Sequence, residues 1–128
     1  MTTQLQLDQP SAGLYSIRSY QTGAIVVNEE VFTQSLIVLP DRLIRNWPPQ
    51  SFQDLTQQHF DDIATLGPEI VILGTGRTLK FPSAALMEPL CKTQIGFEVM
   101  DTGAACRCYS ALASEGRRVA AALLMIQG

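Results

Sequence analysis

The chain has 128 residues, 46% of them hydrophobic and 16% charged, with nine glycines, seven prolines and a formal net charge of −3. That is one domain's worth of chain, long enough to bury a core without metal or disulfide staples and too apolar to stay disordered. Its two lysines are Lys80 and Lys92, and its only basic cluster is the pair Arg117 and Arg118, so it lacks the electrostatic footprint of a phosphate-backbone reader and no nucleic acid partner is expected.

From Leu14 to Tyr20, Tyr15 and Ile17 alternate with Ser16 and Arg18. Gln21, Thr22 and Gly23 then supply a turn before Ala24 to Asn28, which predicts a β-hairpin. A second reversal at Asn28, Glu29 and Glu30 leads into a strand from Val31 to Leu39, whose end, Leu36, Ile37, Val38 and Leu39, is apolar on both faces and so central and covered. The opening third therefore reads as an antiparallel meander. Pro40 ends it, and Trp47, Pro48 and Pro49 form a stiff loop in which Trp47 is a core plug.

Thr56 is the cap expected for a helix reaching Leu66, with Phe60, Ile63 and Ala64 at helical spacing and Gly67 and Pro68 as the stop. Glu69 to Leu73 is a β-branched strand, Leu79 to Phe81 a further short one, and Ala84 to Lys92 a helix that Pro89 must kink or shorten. Phe97 to Met100 is strand again. Thr102 caps a helix lined on one face by Ala105, Cys108, Tyr109 and Leu112, with Gly116 at its C′ position, and Arg117 to Ile126 closes the chain as a strand. A meander followed by alternating helices and strands gives a mixed α/β fold in a single domain over residues 1–128.

No apolar run approaches the roughly 20 residues that span a bilayer, so no membrane insertion is expected. Met1 to Pro10 carries no Lys or Arg of the kind a signal or transit peptide uses, and three cysteines fit reduced thiols better than a disulfide framework. A cytoplasmic location is the expectation.

Three motifs invite chemistry. Gly74-Thr75-Gly76 follows an apolar strand as a phosphate-cradling turn would, but a dinucleotide fingerprint needs a third glycine and a helix opening directly from the turn, and a tight structural turn is the plainer reading. Asp101-Thr102-Gly103 matches the tripeptide of aspartic proteases, yet that chemistry sets it in a loop of an all-β fold, whereas here a helix follows and Asp101 and Thr102 are ordinary capping residues. Cys106 and Cys108 point about 200° apart on a helix and cannot grip one metal. Cys106 near a helix start has the position of an activated thiol but reads more simply as a small buried hydrophobe, and the single histidine, His59, as a solvated surface residue in another helix.

Taken in order, Pro68-Glu69-Ile70-Val71-Ile72-Leu73-Gly74-Thr75-Gly76, then Met100-Asp101-Thr102-Gly103-Ala104-Ala105-Cys106-Arg107, then Tyr109 and Glu115-Gly116-Arg117-Arg118-Val119, resemble the Mth-domain family, which includes mitochondrial complex I assembly factor 3 and the adipogenesis-associated Mth-domain protein. The resemblance covers nearly the whole chain. It implies a three-layer β/β/α arrangement with a mixed central sheet, and a role in assembly for the mitochondrial members. Ser110 stands where such proteins often carry Asn after the Tyr, and Asn28-Glu29 replaces the Asn-Gly of a tight hairpin turn.

No complete catalytic constellation is present, so the expected function is a non-enzymatic interaction or assembly module with a protein partner and no cofactor. The alternative is a small anionic ligand held where Gly74, Thr75, Gly76 and Arg77 meet Asp101, Thr102 and Arg107. An enzyme would have to use Asp101 as acid or base and Cys106 as nucleophile.

Overall fold

The structure, a computed structural model, describes residues 6–8 and 14–127. In chain order its elements are β1 (Gln6–Asp8), β2 (Ile17–Gln21), β3 (Ala24–Val27), β4 (Glu30–Phe32), β5 (Leu36–Val38) and β6 (Leu43–Arg45). A 3₁₀ turn (Phe52–Asp54) leads to α1 (Gln57–Ala64), β7 (Ile70–Gly74), α2 (Ala84–Cys91), β8 (Gly96–Met100), α3 (Thr102–Ser114) and β9 (Val119–Leu123). The strands form two sheets, an antiparallel one in the order β2-β3-β4 and a mixed one in the order β1-β6-β5-β9-β7-β8.

Burial follows from this order. In the mixed sheet β7 runs parallel to both β8 and β9, while β5 pairs antiparallel with β9. β9, Val-Ala-Ala-Ala-Leu, lies inside the sheet and is buried at every residue. Its alternate side chains enter two cores: Ala120 and Ala122 join Ile37, Trp47, Phe60, Ile63 and Leu90 on the face carrying α1 and α2, and Val119, Ala121 and Leu123 join Ile25, Tyr109 and Cys106 on the other. The layers are thus small sheet, mixed sheet and helices α1 and α2, the β/β/α order the motifs imply, with α3 lying beside the small sheet on its side of the molecule.

Two local expectations give way. The stretch 31–39 is not one strand, because β4 belongs to the small sheet and β5 to the mixed one; the polar step Thr33-Gln34-Ser35 carries the chain between them. Residues 79–81 form no strand: Leu79 and Phe81 stand 48% and 72% exposed in the loop before α2. Asn28, φ 54°, takes the left-handed conformation at the β3–β4 turn, and its side-chain oxygen accepts the Ser16 amide at 2.8 Å.

Pro89 lies inside α2, which continues to Cys91. Proline has no N–H to donate to the carbonyl of Ala85 four residues earlier. The side-chain amide of Gln57, from α1, donates to that carbonyl instead, at 2.6 Å. A neighbouring helix therefore satisfies the acceptor that proline abandons.

His59 departs from the solvated residue expected of it. It is half-buried, its ring packs edge-on to Trp47 with centroids 6.1 Å apart, and Nδ1 accepts the Thr56 backbone N–H at 3.0 Å, closing a capping box with Thr56. Burial holds its pKa below the ordinary 6.5. The unfolded chain then takes up the proton first as pH falls, so the contribution of neutral His59 is complete above about pH 6.5, declines as pH drops through that value and levels off below the folded pKa. We expect the urea midpoint to fall between about pH 7.5 and about pH 5.5 in the native protein and to fall less in His59→Gln. Equal declines would mean that the imidazole titrates as a free surface group.

Candidate functional site

The chain leaves β7 for α2 on one face of the mixed sheet and leaves β8 for α3 on the other. The crevice at the carboxyl ends of these two strands is therefore a topological switch point, where open α/β sheets hold their ligands. Both glycine-bearing motifs arrive there. The protein fills the crevice with its own hydrogen bonds: Thr75 N–H donates to Met100 C=O at 2.9 Å and Thr102 N–H to Gly76 C=O at 2.9 Å. The fully buried Thr102 hydroxyl accepts the Gly76 N–H at 2.8 Å and donates to Leu124 C=O at 2.7 Å. One side chain thus ties the ends of β7 and β9 to the first turn of α3.

The glycines make this knot sterically possible. A Cβ on Gly74 would sit 2.9 Å from Thr102 Oγ1, 3.0 Å from Thr102 Cα and 3.1 Å from Ala105 Cβ; one on Gly103 would sit 2.9 Å from the Tyr20 ring. Asp101, not Thr102, is the N-cap, and its Oδ1 accepts the Ala104 amide at 2.9 Å. The helix reading of the Asp-Thr-Gly tripeptide holds with the cap one residue earlier. Thr102 is drawn into the interior, where its hydroxyl has two backbone partners.

Cys106 is buried, and desolvation pushes its thiol up to about 12, so it stays protonated at neutral pH. His59 belongs to α1, on the opposite face of the mixed sheet from Cys106, and cannot serve it as a base. The remaining motif residues also hold the fold. Buried Tyr109 donates its hydroxyl to Tyr15 C=O at 2.9 Å, fastening α3 to the approach to β2. Glu69 accepts the Arg118 amide at 2.9 Å and Arg117 Nε at 3.1 Å, and those bonds, the amide first, hold its carboxyl below the usual carboxylate range.

The arginines of the expected site part company. Arg77 donates to Gln127 C=O at 3.1 Å and lines a cleft of about 160 Å³ with Phe52 and Lys80, on the α1 side of the knot. Arg107 lines a groove of about 330 Å³ between β2 and α3, together with Arg18, Tyr20, Cys106 and Ser110. It donates to the Tyr20 hydroxyl, with its guanidinium 5.8 Å from the centre of that ring. Gly74, Thr75, Gly76, Asp101 and Thr102 therefore meet as expected, while Arg77 and Arg107 face different clefts. Arg18 carried no sequence signal beyond its place in a hairpin strand.

These features define a three-layer β/β/α domain whose motif residues brace the ends of its central strands. The chain belongs to the family described as Protein of unknown function (DUF498/DUF598), whose model matches residues 17–124, in agreement with the Mth-domain motifs. The crystal structure of a Bordetella parapertussis protein superposes with a TM-score of 0.84 at 36% identity, covering 91% of this chain and 99% of that one. A Bordetella pertussis protein described as an Mth938-like domain gives 0.81 at 29% identity, covering 94% and 91% of the two chains. Among sequence relatives, NADH dehydrogenase [ubiquinone] 1 alpha subcomplex assembly factor 3 of Bos taurus is 34% identical over 94% of this chain, which spans 65% of that protein's length. Among the described residues no helix is long and apolar enough to cross a membrane.

Proposed function

We propose that this domain is an interaction or assembly module that works by binding another protein and performs no chemistry of its own. The observation that carries this reading is the engagement of the motif residues: Asp101 is a helix cap, Thr102 is a buried tie and Cys106 is a protonated wall residue. The relatives named as assembly factor 3 of NADH dehydrogenase direct the proposal to subunits of a respiratory NADH dehydrogenase, met in the cytoplasm before the enzyme is complete. Chemical cross-linking and capture of the tagged chain from its native cells should co-recover such subunits, and deleting the gene should lower assembled NADH:quinone activity in membranes. Capture without a reproducible protein partner overturns the module; unchanged enzyme levels after deletion overturn the link to NADH dehydrogenase.

A second reading, a small anionic ligand at the loop 74–77 and the start of α3, is favoured by one observation: neither Arg77 nor Arg107 is paired with a carboxylate among the described residues. With the crevice between the loops closed, such a ligand would sit against the Arg77 or the Arg107 side of the knot.

A further inference from the structure

We infer that the groove between β2 and α3 is a binding site for a small molecule that carries a carboxylate or phosphate on a short apolar body, gripped by Arg18 and Arg107. This rests on the anionic-ligand reading but moves the site off the glycine loops. Three independent observations support it.

The first is charge. In a chain of net charge −3, Arg42, Arg45 and Arg117 each have a carboxylate partner, Asp41, Glu30 and Glu69 respectively. Arg118 and Arg77 donate to backbone carbonyls. The Arg18 guanidinium makes no hydrogen bond or ion pair among the described residues, and the Arg107 guanidinium donates only to the Tyr20 hydroxyl. These two uncompensated guanidiniums line the same groove. Asp101, the acid at the start of α3, is turned to the Ala104 amide.

The second is backbone. β2 pairs with β3 as Ile17↔Val27 and then Ser19↔Val26, so Arg18 is the extra residue of a β-bulge and has no partner across the strand. A bulge re-aims the side chain it carries, and bulges gather at sites for that reason.

The third is preorganisation. The missing Cβ of Gly103 lets the Tyr20 ring lie against the first turn of α3, and that ring and its hydroxyl position the Arg107 guanidinium before any ligand arrives. Cys106 and Ile17 add apolar lining to the groove, and Ser110, whose hydroxyl donates to the Cys106 C=O at 3.2 Å, lines it as well. A guanidinium presents a planar fork of donors that matches carboxylate and phosphate oxygens. A volume of about 330 Å³ is at the lower end of small-ligand sites, which suits a short acid or phosphate monoester.

Phenyl phosphate, benzoate and inorganic phosphate would be titrated against sodium chloride at matched ionic strength, read by calorimetry and by amide chemical shifts of the full chain. Phenyl phosphate or benzoate is expected to bind, with shifts centred on residues 17–20 and 103–110, and the tighter of the two identifies the anion. Arg18→Gln and Arg107→Gln, both exposed and expected to keep the native unfolding midpoint, should each weaken binding about tenfold or more, while Arg77→Gln leaves it unchanged. Binding that depends on Arg77 and shifts residues 75–80 would overturn this site and keep the loop reading. No probe binding beyond the salt control would overturn both.

Discussion

Thr102→Val is expected to lower the unfolding free energy by about 2–5 kcal/mol while leaving the shape of the side chain unchanged. Valine fills the same volume but strands the Gly76 N–H and the Leu124 C=O, both of which the buried Thr102 hydroxyl now satisfies. Each orphaned buried backbone group costs about 1–3 kcal/mol, far more than the added methyl recovers. Urea unfolding at neutral pH should show a lower midpoint with an unchanged slope. Thr102→Ser keeps the hydroxyl and should lose only about 1 kcal/mol, and Asp101→Asn should stay within about 1 kcal/mol because Asn caps a helix as well as Asp. A wild-type midpoint for Thr102→Val would show that the hydroxyl is not a tie.

Gly74→Ala is the second large effect, about 2–3 kcal/mol destabilising. In an ordinary strand interior the change would stabilise by roughly 0.5–1 kcal/mol, because alanine has less chain entropy to lose. Here the added methyl meets Thr102 Cα at 3.0 Å and Ala105 Cβ at 3.1 Å, atoms fixed to the first turn of α3, so relief requires moving the helix away from the sheet. Overpacking against a rigid element outweighs the entropy gain. A thermal scan showing Gly74→Ala at or above the wild-type melting temperature would refute the close approach.

Much of this architecture could be read from local pattern. The hairpin at Gln21, Thr22 and Gly23, the helix from the Thr56 cap, the strand before Gly74 and the C′ glycine at Gly116 all rest on nearby residues, and the structure reproduces them. Failures occur where a distant partner decides. Leu79, Lys80 and Phe81 alternate as a strand should, but they pair with no strand and stay in an exposed loop. Around Pro89 the helix spans Ala84–Cys91, close to the expected bounds, but the donor that meets the Ala85 carbonyl is Gln57, 28 residues before Ala85, which local pattern does not announce. Nothing in the run 31–39 announces a change of sheet except its three polar residues in the middle.

The candidate site shows the same division. The sequence marks Gly74, Gly76, Asp101 and Thr102 as unusual, and they do converge. It cannot show that they bind one another, since that depends on Leu124 C=O arriving from β9 within reach of a side chain 22 residues away. Arg18 stayed hidden because a bulge is a property of two paired strands, and the sequence displays only one of them at a time.

The Gly-Thr-Gly and Asp-Thr-Gly motifs form one interlocked brace. A double-mutant cycle of Gly74→Ala and Thr102→Ala by urea unfolding tests it most directly, because removing the Thr102 side chain also removes the oxygen 2.9 Å from the new methyl. The double variant should lose less than the sum of the singles, by about 1 kcal/mol or more. Small single effects that add within about 0.3 kcal/mol would contradict the brace and return both motifs to the search for a reaction.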